Sequence, residues 1–106
     1  MKGNIQQLSP IRRQYVEAQI RNHRERFNDF AIKSLFLFGS VARDQATLKS
    51  DVDLLVEFNR PVGLFTLLQL QHALEELLGC SVDLGTPTSL RPHLKDAVLK
   101  EAVRVL

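Results

Sequence analysis

Between Leu35 and Phe58 the chain runs from an apolar stretch into Gly39-Ser40, through ten further residues, and on to Asp51-Val52-Asp53. This pattern predicts strand, tight turn, short connection, strand, with two carboxylates at the start of the second strand. Side chains alternate between faces along a strand, so Asp51 and Asp53 share one. A Gly-Ser turn brings backbone N–H groups within reach of a phosphate. Carboxylates that hold a divalent cation beside such a turn are the parts that phosphoryl or nucleotidyl transfer requires.

The remaining elements follow from periodicity and punctuation. Ser9-Pro10 is a helix start, with serine as N-cap and proline at the first helical position. From there to about Phe27, Leu8, Ile11, Tyr15 and Ala18 fall at helical spacing. Arg12, Arg13, Arg21, Arg24 and Arg26 make much of the remaining surface basic; such arginines serve either as a solvated face or as a phosphate or partner contact. Ile32 to Phe38 fits a buried strand. In Asp51 to Phe58, Val52, Leu54, Val56 and Phe58 fall on one face, and Asp51, Asp53, Leu55 and Glu57 on the other, as in a half-buried strand. Asn59 to Gly63 is a loop.

Leu64 to Leu78 is the clearest helix. Leu64, Leu67, Leu68, Leu74, Leu77 and Leu78 recur at spacings of three and four, and Gly79 follows as a C-terminal cap. That stripe is expected to be core, with room for part of it to face another subunit. Ser81 to Leu84 is a short strand with Val82 and Leu84 inward and Ser81 and Asp83 outward. Arg91-Pro92 opens a last helix to about Glu101, and Ala102 to Leu106 allow a final strand. The order α-β-β-α-β-α, with or without the last β, predicts an α/β (α+β) fold: a small mixed sheet with helices packed mainly on one face.

Length and composition narrow the classes. With 106 residues, 44% hydrophobic and 25% charged, one domain is expected over 1–106, an N-terminal helix over 1–29 and a core over 30–106. No apolar run approaches the roughly 20 residues of a membrane span, and no signal-peptide core follows Met1, so no membrane partner is expected. The single cysteine, Cys80, excludes an internal disulfide framework and fits a reducing cytoplasm. It is read as a packed thiol rather than a nucleophile. His23, His72 and His93 lie far apart without a second ligand at metal spacing, which argues against zinc. The net charge of +2 hides an asymmetry: residues 1–50 carry nine Lys or Arg against four Asp or Glu, residues 51–106 five against eight. The basic balance is too uneven to point to nucleic acid and equally suits a nucleotide or an acidic partner.

An Asp-x-Asp on the solvent face of a strand is common, and any strand needs a turn, so neither feature defines a site alone. Three points favour chemistry. Aspartate is disfavoured in strands. Like charges sharing one face repel unless a cation lies between them. Asp83 falls at the same kind of position on another strand. Mg²⁺ prefers carboxylate oxygens together with substrate phosphates. On this basis Asp51, Asp53 and Asp83 are the candidate metal and catalytic carboxylates, with Asp83 also orienting or deprotonating an attacking hydroxyl. Gly39 and Ser40 are candidates to bind phosphate, and Arg43 and Lys49 to neutralise it. There is no Walker loop and no nucleophile elbow.

Leu35 to Arg43 followed by Ser50 to Phe58 resembles the Gly-Ser-x10-Asp-x-Asp signature of minimal nucleotidyltransferases, in the polymerase-beta-like nucleotidyltransferase superfamily. Val82-Asp83-Leu84 is similar to that family's third-carboxylate strand, and Leu90-Arg91-Pro92 through Leu106 resembles its usual ending. The likeness covers nearly all of residues 30–106. It implies the nucleotidyltransferase fold, with Gly39 and Ser40 on the triphosphate and Asp51, Asp53 and Asp83 as the metal and catalytic carboxylates. One position departs: Asp44 stands where the family usually has glycine, and its charge does not favour phosphate.

Many such minimal proteins resemble antitoxins paired with a HEPN-domain toxin, an RNase. The resemblance therefore implies a cytoplasmic, Mg²⁺-dependent protein adenylyltransferase that moves AMP from ATP to a hydroxyl of the toxin, expected to be a tyrosine. The alternatives are an antitoxin that acts by binding alone and a small-molecule nucleotidyltransferase. No direct contact with nucleic acid is expected.

Overall fold

A computed structural model describes residues 11–48, 50–87 and 92–106, with side chains described outside 92–95. The elements in order are α1 (Arg13–Asn22), a 3₁₀ segment (Arg24–Phe30), β1 (Ile32–Phe38), α2 (Gly39–Ala42), β2 (Val52–Phe58), α3 (Leu64–Leu78), β3 (Val82–Gly85), α4 (Pro92–Glu101) and β4 (Val103–Arg104). The four strands form one mixed sheet in the order β3-β2-β1-β4. β1 is antiparallel to both β2 and β4, while β2 and β3 are parallel. A parallel pair needs a crossover, and α3 supplies it between β2 and β3.

The α/β class and mixed sheet are those that the sequence predicts, but the first helix differs. It is not continuous to Phe27. His23 leaves helical geometry at φ −120, ψ 28, and a 3₁₀ segment follows to Phe30, where Ala31 turns left-handed at φ 58. Asn28 and Asp29 are weak helix formers, and the His23 ring bonds the Gln19 carbonyl (2.9 Å), tying up an acceptor in the last turn. The buried residues of α1 are Val16 and Ile20, and Ala18 is exposed. Ser9, Pro10 and Leu8 lie outside the described residues.

Val16 and Ile20 join Leu70, Leu74 and Leu78 of α3 over Leu35, Leu37, Val52, Leu54, Val56, Val82 and Leu84 of the sheet. Each such fully buried aliphatic side chain contributes about 1.5–3 kcal/mol. The inward side of α3 is therefore the 70/74/78 stripe, which includes Leu70 in addition to the leucines that the spacing predicts. Leu64 and Leu68 of that set are 69% and 51% exposed, beside Phe65 at 73%. Gly79 closes α3 as expected, at φ 72, with its N–H on the Glu75 carbonyl.

A bulge between Ile32 and Ser34 lets Ile32 pair with Phe58 and Ser34 with Glu57. Beyond it, alternation holds. Leu35 and Leu37 face the core, and Ser34, Phe36 and Phe38 face away from it. The second face of β2 is not simply polar, because Leu55 is 1% exposed. Leu55 lies between Phe36 on β1 and Gly85 on β3, and a central strand is shielded from both sides. Ser34, the one buried polar residue among those described, donates its hydroxyl to Glu57 (2.9 Å). The carboxylate positions lie at the far end of this same face.

Candidate active site

Antiparallel pairing of β1 and β2 brings the end of β1 beside the start of β2, and parallel pairing brings the start of β3 to the same place. Phe38 pairs with Asp53, and Asp53 with Asp83, in one cross-strand row. Directly paired residues point the same way, so Asp53 and Asp83 share a face even though 30 positions separate them in the chain. Asp51 sits just before β2. Two bonds hold β3 here: Val52 N–H donates to the Ser81 carbonyl, and Val82 N–H to the Glu75 carboxylate of α3, each at 3.0 Å.

The charges act on one another. The Asp53 carboxyl is held above its ordinary range, first by burial, then by the charges of Asp83 and Asp51, and the Arg43 guanidinium pulls it back down. Two other carboxylates and one cation thus act on Asp53. The Cys80 thiol is pushed up by burial and by Asp51 and Glu75, which leaves it poorly nucleophilic at neutral pH.

Gly39 follows β1 at φ +76, in the left-handed region. An added Cβ would overlap the Asp53 Oδ2 atom and would stand 3.1 and 3.2 Å from its Cγ and Cβ. Backbone and carboxylate therefore touch, and only glycine provides both the conformation and the space. Ser40 follows in α2, and its carbonyl accepts the Gln45 N–H (2.8 Å). Arg43 ends the turn. Its Nη1 bonds the Glu101 carboxylate of α4 at 3.1 Å, and its Nε the Gln45 side chain at 3.2 Å. Lys49 lies outside the described residues.

Asp44 adopts φ 55, a conformation that aspartate tolerates better than most residues. The turn therefore forms without the glycine usual in the family, and the Asp44 carboxylate accepts the Arg13 N–H (3.0 Å). Glu101 and Arg13 are the contacts that sequence analysis did not find, because each meets its partner only through folding.

Asp53 and Asp83, with Asp51 alongside, are the residues that could hold a divalent cation. Among the described residues, no three His, Cys, Asp or Glu side chains stand together as a metal-binding group. A hard oxygen donor set that relies on substrate phosphates suits Mg²⁺, which usually takes only one or two carboxylates. The raised Asp53 carboxyl marks a site where a cation would relieve repulsion.

A strand-end glycine turn facing paired carboxylates on a mixed sheet is the arrangement expected of a nucleotidyltransferase. The chain belongs to that family: the model of the nucleotidyltransferase domain matches residues 20–105. It is 35% identical over 91 residues to protein adenylyltransferase MntA of Thermococcus cleftensis, covering 85% of this chain and 92% of that one. It is also 47% identical over 75 residues to a Methanocaldococcus jannaschii protein provisionally named a protein adenylyltransferase, covering 71% and 81%. Among solved structures, one described provisionally as a minimal nucleotidyltransferase superposes with TM-score 0.76 at 34% identity, covering 88% and 95%. A Shewanella oneidensis MNT antitoxin in complex with a tri-AMPylated HEPN toxin shares the fold, with TM-score 0.63 at 21% identity over 89% and 71%.

Proposed function

We propose that this nucleotidyltransferase is a protein adenylyltransferase of antitoxin type. It transfers AMP from ATP to a tyrosine hydroxyl of a partner HEPN toxin and so neutralises it. The observation that carries this reading is the direct contact between Gly39 and the Asp53 carboxylate, with Asp83 in register beside it. The names of the relatives supply the acceptor class, and the Shewanella complex supplies the kind of partner.

In this reading Gly39 lets the backbone approach the triphosphate, and the Ser40 hydroxyl and N–H donate to phosphate oxygens. Arg43, and Lys49 with it, offsets phosphate charge. Asp51, Asp53 and Asp83 would hold Mg²⁺, which when bound polarises the phosphoryl oxygens and offsets the charge of the leaving group. Asp83 orients the acceptor hydroxyl and takes its proton. The hydroxyl oxygen forms a bond to the α-phosphorus, the α–β bridging bond breaks, and pyrophosphate leaves.

The experiment is co-purification with the partner, followed by intact-mass measurement with and without ATP and Mg²⁺. Addition of whole AMP units to the partner, lost in an Asp53→Asn variant, is the expected result. A partner that is neutralised at unchanged mass would overturn catalysis and leave inhibition by contact.

A further inference from the structure

Asp44 departs from the glycine that the resemblance implies, and the structure assigns it a use. Arg13 is the first residue of α1, and its N–H has no acceptor within the helix. Arg12 gives no side-chain cap. The cap comes instead from Asp44, 31 positions later, whose carboxylate accepts that N–H. A negative charge is also favourable at the amino end of a helix. In return, Arg13 Nη1 donates to the Ala42 carbonyl at 3.3 Å.

These two bonds fall on either side of Arg43 in the chain. The segment they grip is tightly wound: Arg43 N–H bonds the Gly39 carbonyl, Asp44 N–H that of Val41 and Gln45 N–H that of Ser40. The same segment holds Gly39 against Asp53 and carries Arg43. Whatever fixes Ala42 and Asp44 therefore fixes the groups assigned to phosphate.

We propose that Arg13 and Asp44 form a two-point clamp through which α1 positions the Gly39–Arg43 turn for the nucleotide. The inference rests on the proposed function. Arg13 and Asp44 are positioning residues that act through the turn. The carboxylate that replaces glycine at position 44 gives α1 a role beyond covering the core.

The test uses the full chain with AMP-PNP and Mg²⁺ in isothermal titration, with melting midpoints as the control for folding. Asp44→Gly keeps the left-handed turn and deletes one point. Arg13→Pro deletes both donors, and proline is accepted at a first helical position after a residue as extended as Arg12 (φ −108, ψ 151). Each should weaken binding by about three- to tenfold, the scale of one ordinary hydrogen bond. Asp44→Asn keeps an acceptor and the backbone preference, and should bind within about twofold of the parent. The double variant Arg13→Pro/Asp44→Gly should be no weaker than the weaker single variant. A folded Asp44→Gly variant with parental affinity, an Asp44→Asn variant as weak as Asp44→Gly, or losses that multiply would overturn the clamp. Amide exchange in the free protein separates the two layers: Asp44→Gly and Arg13→Pro should speed exchange across residues 39–45. If the parent chain fails to bind AMP-PNP but exchange responds in this way, the proposed function fails and the physical link stands. If exchange does not respond, the clamp itself is refuted.

Discussion

Gly39→Ala tests the central contact of the site. The left-handed backbone at φ +76 costs a non-glycine residue about 1–2 kcal/mol. The new methyl group also overlaps the Asp53 carboxylate, so that side chain must leave its rotamer for a further roughly 0.5–1.5 kcal/mol. A loss of about 2–3 kcal/mol is expected, or roughly 8–20 °C in melting midpoint for a chain of this size. Urea titration of four proteins measures it: the parent, Gly39→Ala, Asp53→Ala and the double variant. In Asp53→Ala the Cγ and Oδ2 atoms are gone and only the Cβ contact at 3.2 Å remains, so Gly39→Ala should then cost little beyond the backbone share. A coupling of about 0.5–1.5 kcal/mol results. Gly63→Ala is the control. Gly63 has φ −84 and nothing within 4 Å of an added Cβ, so it should change stability by less than about 0.5 kcal/mol. A Gly39→Ala loss below about 0.5 kcal/mol, or the same loss with and without the Asp53 carboxylate, would refute the contact.

Asp53→Asn should reduce transfer by more than the roughly 10–100-fold that loss of an outer-sphere partner costs a metal site. It should also raise the melting midpoint without Mg²⁺, because burial and two neighbouring carboxylates oppose the charge of Asp53; unimpaired AMP transfer to the partner would remove Asp53 from the site. Stability without Mg²⁺ should fall as pH rises from Asp53's ordinary value of 3.8 through its raised folded value, since the folded state keeps that proton longer. Urea midpoints taken from about pH 4 upward should show this slope in the parent and a smaller one in Asp53→Asn, and equal slopes would contradict the assigned repulsion. Asp83→Ala should depress turnover strongly and AMP-PNP affinity only mildly, because its proposed work is on the acceptor hydroxyl; a reversed pattern in kcat and Kd would reassign it to nucleotide binding. Leu70→Ala should cost about 2–5 kcal/mol and Leu68→Ala less than about 0.5, as chemical denaturation would show, given that Leu70 is fully buried and Leu68 is 51% exposed.

Local chemistry made much of this protein legible. Strand alternation over Val52–Phe58, the bounds of α3 from Leu64 to Leu78, the Gly79 cap and the outward position of Asp83 all depend on neighbours in the chain. The approach of Gly39 to Asp53 is readable for the same reason: a strand, a turn and a returning strand bring the two together over a short span.

What lay beyond the sequence depends on contacts between distant segments. Periodicity defines the faces of a helix or strand but not which neighbour covers each face. Hence α3 turns Leu70, Leu74 and Leu78 inward while Leu64 and Leu68 stay in solvent, and Leu55 is buried on a face expected to be half open. The row Phe38-Asp53-Asp83 exists because β2 pairs antiparallel on one side and parallel on the other, in a register set by the packed core. The Arg43–Glu101 pair and the Arg13–Asp44 bond join residues 58 and 31 positions apart. Asp44 shows the difference most plainly. By itself it is an acidic residue in a turn that usually holds glycine. Only the docking of α1 beside that turn makes it a helix cap, because an unpaired N–H at a helix start needs an acceptor and tertiary packing decides which residue supplies it.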